Sequence, residues 1–187
     1  TAISTPLPAG TYKWTIEETS PSFDERLIKA KEILAKAGWT PNKDTGILEK
    51  KSGSSIITLS FSISTGDAPE LQRVAEELVK AWEQLGAKVE TVVYETGELN
   101  QSVIRPRQFD ALLFGEVIGR NADLYPFWHS SQRADPGLNI ALYANSRADK
   151  LLDVARTAKD FETVEENYKQ FSLELKKDVP ATFLYTP

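Results

Sequence analysis

Residues 56–95, IITLSFSISTGDAPELQRVAEELVKAWEQLGAKVETVVYE, decide the fold. The first eight, Ile56 to Ile63, are rich in β-branched residues and predict a strand. Asp67-Ala-Pro-Glu then opens a helix, with Asp67 as the capping residue and Pro69 in the first turn, where its missing N–H costs nothing. Leu71, Val74, Ala75, Leu78, Val79, Trp82 and Leu85 follow at spacings of three and four, the period of one helical face. Gly86 stops the helix, and AKVETVVYE reads as a second strand. Strand, helix and strand in that order predict a βαβ unit with parallel strands.

The pattern continues on both sides. Upstream, Ser22 and Glu25 fit a capping box, and Leu27, Ala30, Ile33, Leu34 and Ala37 lie on one broad helical face. Gly38 fits the left-handed position past that helix, and Trp39 falls where an apolar residue packs back on the last turn. Trp39 is therefore expected to be a packing lock, with Leu34 or Ile33 as partner. Ile47 to Lys50 predicts a strand, joined to Ile56–Ile63 by a turn at Lys51–Ser54. Downstream, a short helical or loop segment, Glu98 to Arg107, leads to a third strand, FDALLFGEV. Helices are expected at Ser146–Ala158 and Thr163–Lys177, the latter with Val164, Tyr168, Phe171 and Leu175 inward. The terminal DVPATFLYTP is extended and apolar, and needs a pairing partner. Residues 1–21 hold Pro6, Pro8 and Pro21 without sustained periodicity, and are expected to be an extended lead-in from a preceding domain.

Composition narrows the function classes. With 41% hydrophobic and 26% charged residues, the 187-residue chain has the make-up of a globular domain. A net charge of −5 with scattered basic residues argues against a nucleic-acid partner. There is no cysteine, which removes disulfides and thiolate chemistry, and no methionine, so the chain is expected to be a piece of something longer. A single histidine, His129, is too few for a usual catalytic zinc site, and no nucleophile elbow or phosphate loop is present. Neither a metal nor another cofactor is expected. The carboxylate pair Glu116 and Asp123 leaves a carbohydrate-active enzyme as an alternative.

In an open α/β sheet, ligands bind beyond the carboxyl ends of the strands. Two segments occupy that edge: SISTGDAP, with Ser64 and Thr65, and GEVIGRNADLYPFW. The second combines Arg120, Asn121, Asp123, Tyr125 and Trp128. For Tyr125, Phe127 and Trp128 the competing expectation is a core anchor of a short helix, which is the favoured reading for Trp128.

Five blocks in this order carry a family resemblance: AKEILAKAGW with DTGILEKKSG; ITLSFSISTGDAPELQRVAEELVKAWEQLGAKVE; RQFDALLFGEV; NIALYANSRADKLLDVARTA; and NYKQFSLELKKDVPATFLYTP. Over roughly residues 24–187 the chain resembles the second lobe of the extracytoplasmic solute-binding proteins of peptide ABC importers, the oligopeptide and dipeptide type of family 5. The resemblance implies an α/β lobe of a type II periplasmic-binding-protein-like fold, with a mixed, mostly parallel sheet flanked by helices. It implies residues 1–187 as a single lobe, in which 1–21 arrive from a missing first lobe and 22–187 form the body up to the return crossover. The function implied is capture of peptides or similar small solutes, followed by delivery to a membrane permease. No catalysis is implied, and the location is extracytoplasmic, in the periplasm or as a surface lipoprotein. Relatives of this type also carry sugars and metal complexes, and a stand-alone interaction domain of the same fold is a further alternative.

The resemblance also assigns site residues. The family carries a Gly-Trp pair after the F-D-x strand, followed by an acidic residue that grips the peptide's amino group. Phe109, Asp110 and Gly115 match, Glu116 replaces the tryptophan, and Asp123 best matches the acidic residue. Backbone groups of Gly115, Glu116 and Val117 are expected to pair with an extended ligand. The expected ligand-binding set is Gly115, Glu116, Val117, Arg120, Asn121, Asp123, Tyr125, Ser64 and Thr65.

Overall fold

The computed structural model describes residues 2–7, 10–14, 21–119 and 122–186. The chain divides into two compact units, Thr19–Gly115, and Thr1–Glu18 with Glu116–Pro187.

The first unit opens with α1 (Phe23–Lys36), held by the expected capping box: the Glu25 N–H donates to Ser22 Oγ, and the Glu25 side chain accepts from the Ser22 N–H. Its end is a Schellman turn. Gly38 takes φ 88°, its N–H donates to the Ala35 carbonyl, and the Trp39 N–H donates to that of Leu34. Leu27, Ala30, Leu34 and Trp39 are half-buried, whereas Ile33 and Ala37 are exposed, so the inward stripe is narrower than the apolar pattern suggests. Leu34 is half-buried like Trp39 and accepts its N–H at the carbonyl, whereas Ile33 is exposed.

Strands β1 (Thr40–Pro41), β2 (Leu48–Ser52) and β3 (Ser55–Thr58) form an antiparallel sheet in that order. The β2–β3 turn has Gly53 and Ser54 at its centre, with Gly53 at φ 61°, the place a two-residue hairpin of the II′ kind gives to glycine. Ile56–Ile63, expected as one strand, is two: the run breaks at Leu59, and β4 (Ser60–Gly66) leaves for a second sheet. The Leu59 backbone serves both sheets, its N–H donating to the Leu48 carbonyl and its carbonyl accepting from Lys88. One β-branched run therefore belongs to two ladders, which its composition does not reveal.

The second sheet is parallel, with β4 between β5 (Lys88–Tyr94) and β6 (Ala111–Leu113). Helix α2 (Pro69–Leu85) connects β4 to β5. Pro69 stands in its first turn as expected, but Asp67 does not cap it. Ala68 is the N-cap, and the Asp67 carbonyl instead accepts from the Gln72 side chain. Trp82 packs edge-on against Phe61 of β4, ring centres 5.1 Å apart. A second Schellman turn ends α2: Gly86 at φ 97°, with Ala87 N–H donating to Trp82 O. The short helix α3 (Thr96–Glu98) runs on as a π-helix, Leu99–Ile104, burying Leu99 and Val103.

The second unit is built on α5 (Ser146–Thr157) and α6 (Phe161–Asp178), preceded by the short α4 (Tyr125–Trp128) and a 3-10 turn, Ser130–Gln132. Both long helices have side-chain caps, Asn145 and Asp160. Tyr168, Phe171 and Leu175 are buried in its core as expected, with Val164 against them, and the Trp128 ring meets Tyr143, Phe171 and Phe183 edge-on. Trp128 is thus a core anchor. Residues of the N-terminal segment join this core: Leu7 is buried, and Tyr12 and Trp14 pack beside it. The apolar tail finds its partner there too, with Ala2 and Tyr185 forming an antiparallel bridge.

Candidate functional site

The chain leaves β6 at Leu113 and passes from one unit to the other at Gly115–Glu116. From Phe114 to Gly119 it carries no regular element, yet exposure alternates residue by residue: half-buried Phe114, Glu116 and Ile118; exposed Gly115, Val117 and Gly119. That period of two belongs to an extended chain. Val117 is 90% exposed, the most open large apolar residue described. Among the described residues, no backbone N–H or carbonyl of Gly115, Glu116, Val117 or Ile118 has a hydrogen-bond partner. A backbone run of this kind either faces water or awaits another strand.

Glu116 stands apart within the run. Its carboxyl is half-buried, no ion pair or hydrogen bond reaches it among the described residues, and burial pushes it up to about 7.

The Ala122 N–H donates to the Gly119 carbonyl, and Ala122 takes φ 47°, a left-handed conformation that costs a non-glycine residue on the order of 1–2 kcal/mol. Arg120 and Asn121, both expected at the site, lie outside the described residues. Asp123 follows, its Oδ1 accepting from the Tyr125 N–H in a turn that starts α4. Its Oδ2 lies 3.6 Å from Nε of Arg156, and the Arg156 guanidinium sits over the Tyr125 ring at 4.3 Å. Tyr125 stacks in turn on His129, ring centres 4.2 Å apart. His129 Nδ1 accepts from the Ser131 N–H, which places the proton of a neutral ring on Nε2, facing Asp149 and Asp153 at 3.9 and 3.8 Å. Asp149 also accepts from the Ser130 N–H and hydroxyl.

The structure therefore brings Asp123 and Tyr125 together through Arg156, a residue that no local pattern singles out. It places Ser64 and Thr65 differently from the surface role expected of them: both are buried in β4, and the Thr65 hydroxyl donates to the Leu113 carbonyl across the sheet. The Thr65 hydroxyl thereby ties the end of β4 to β6.

Asn139, also absent from the expected set, is fully buried. Its amide donates to the carbonyls of Trp128, His129 and Tyr143, and its Oδ1 accepts from the Tyr143 N–H. It pins the loop after α4 to the start of α5. Among the described residues no group of three or more His, Cys, Asp or Glu side chains is arranged to hold a metal ion.

The signature of "Bacterial extracellular solute-binding proteins, family 5 Middle" matches residues 1–137. The chain belongs to this family. It is 33% identical over 184 residues to the oligopeptide-binding protein AppA of Bacillus subtilis, covering 97% of this chain and 33% of that protein. It is 28% identical over 172 residues to a dipeptide-binding protein of Pseudomonas aeruginosa, covering 91% of this chain and 30% of that one. The chain thus spans about a third of the length of these curated relatives. The solved structure of Bacillus subtilis AppA in complex with a nonapeptide superposes with a TM-score of 0.86 at 29% identity, over 100% of this chain and 36% of that one. NikZ of Campylobacter jejuni, solved with Ni(L-His), superposes with a TM-score of 0.79 at 23% identity, over 98% and 36%, and shows the shared fold. The fold class is accordingly α/β, of the type II periplasmic-binding-protein kind.

Proposed function

We propose that this chain is ligand-binding lobe material of an ABC-transporter substrate-binding protein, which captures peptides outside the cytoplasm and hands them to a membrane permease. The observation that carries the reading is the run Gly115–Ile118: four consecutive residues whose backbone groups have no partner among the described residues, at the carboxyl end of a parallel strand. A peptide is the ligand class whose own backbone matches such a run. The names of the relatives, which bind oligopeptides, dipeptides and a nonapeptide, support the same class.

In this reading Gly115, Glu116 and Val117 offer backbone pairing, and Arg120, Asn121, Asp123 and Tyr125 supply polar and aromatic contacts. Asp123 receives the peptide's amino group, while Ser64 and Thr65 act from within the sheet. The protein has no catalytic step; its named relatives are binding proteins. Residues 1–187 are read as one lobe, supported by a family signature that runs through residues of both compact units. The remaining partners are the other lobe of the same protein and the permease.

Hydrogen–deuterium exchange on the full-length protein, with and without saturating nonapeptide, tests the reading. The amides of Glu116, Val117 and Ile118 should slow when peptide binds. Unchanged exchange there alongside measured binding would reject this mode of recognition.

A further inference from the structure

Within the peptide reading above, on which this inference rests, the run Gly115–Ile118 explains how a ligand's backbone is held but not what the ligand's side chains must be. Glu116 bears on that. A half-buried carboxyl costs free energy unless hydrogen bonds or an opposite charge compensate it. Other acidic groups of this chain have such compensation: Asp123 has Arg156, Glu174 has Arg147, Asp178 has Tyr143 and Asn145, and Asp110 accepts from the Ser62 N–H and hydroxyl. Glu116 has none among the described residues. It nonetheless projects from a backbone run that has no pairing strand among the described residues, so a strand that pairs with the run brings its same-face side chains beside the carboxyl. Its neighbours in the chain are Gly115, which adds no side chain, and Val117, which adds no charge.

We propose that the Glu116 carboxyl is a charge-reading subsite, which selects ligands whose residue seated beside it carries an ammonium or guanidinium group. The ligand class is then narrower than peptides at large: peptides with a basic residue at one fixed position. The missing partner of the carboxyl is supplied by the ligand, as a charge-assisted hydrogen bond in a partly desolvated place. Burial also keeps the group near neutrality, at about 7, so an incoming cation draws it to the ionised form.

The test is calorimetry on the full-length protein at pH 8 with three pairs of tripeptides. Each pair places lysine or its uncharged counterpart norleucine at the first, second or third position between alanines. At one position lysine should bind roughly tenfold tighter, the scale of one charge-assisted hydrogen bond. In Glu116→Gln that ratio should fall toward one, and Glu116→Asp should keep part of it. Equal binding of lysine and norleucine at every position, or a preference that survives in Glu116→Gln, would overturn the subsite and leave the peptide reading standing. Failure of the unmodified protein to bind either these tripeptides or a nonapeptide would overturn both.

Discussion

Asp123 and Arg156 stand 3.6 Å apart, both partly open to solvent, with the Arg156 guanidinium lying over the Tyr125 ring. The proposed acceptor of a ligand's amino group is therefore already paired within its own unit. A ligand ammonium must share this carboxylate or displace the guanidinium, and the exposure of the pair leaves room for either. Asp123→Asn should weaken peptides with a free amino terminus by about tenfold or more, and leave their N-acetylated forms little changed. Calorimetry with the matched pair decides it. An equal loss for both forms would remove Asp123 from that role.

Arg156→Ala should cost about 1 kcal/mol of stability. Half-exposed ion pairs contribute little, and the cation–ring contact adds a similar small amount. Denaturant titration should show a shifted midpoint with an unchanged slope.

Glu116 gives stability a pH dependence of known sign. Its carboxyl is raised from 4.5 to about 7 in the folded chain. Below 4.5 it is protonated in both states and costs nothing. As pH rises, the unfolded chain ionises first, so stability falls by about 1.4 kcal/mol per unit, reaching a loss of about 3 kcal/mol once pH passes 7. Glu116→Gln should therefore be more stable than the unmodified chain at pH 8 and equal to it near pH 4. Thermal melts across that range check this, and identical curves for the two proteins would show that the carboxyl is not held as described.

Asn139→Ala should be the most damaging of the substitutions considered. It removes a buried amide and leaves the Tyr143 N–H and the carbonyls of Trp128, His129 and Tyr143 without that partner. A loss of about 3 kcal/mol or more is expected from several buried groups left unpaired. Urea unfolding of the variant measures it.

The two helix-ending glycines separate backbone strain from packing. Both have positive φ, so alanine costs about 1–2 kcal/mol at either. At Gly38 a Cβ meets only Lys50 Cε at 3.8 Å, whereas at Gly86 it would stand 3.0 Å from Leu48 Cγ. Gly86→Ala should thus be the worse of the two in parallel denaturation. The excess reports how firmly β2 is seated against the end of α2, a contact also made by the Leu48 N–H donating to the Gly86 carbonyl.

Local periodicity made most elements legible. The α2 stripe, the Ser22–Glu25 box, both glycine stops and the inward residues of α6 are short-range patterns, and each stands in the structure as read. What failed depended on distant partners. The break at Leu59 exists because Leu48 and Lys88 claim its two backbone groups, and nothing in Ile56–Ile63 encodes those partners. Asp67 fits a cap by spacing, but the N-cap is one residue later, at Ala68. At the candidate site, Asp123 and Tyr125 were visible as a polar and aromatic cluster. Arg156 lies 31 positions beyond Tyr125 on another helix, and Asn139 sits in a loop with no repeating pattern. Ser64 and Thr65 were placed by the general rule for strand ends, which does not say whether such side chains turn toward the ligand or into the sheet.

The most direct test of the central claim is native mass spectrometry of the full-length protein, purified gently from its own host. Capture of peptides by backbone pairing predicts a spread of co-purified masses that fragment as peptides, enriched in lysine or arginine if Glu116 reads charge. A single bound mass that fragments as a sugar or a metal complex, with no peptide, would contradict it.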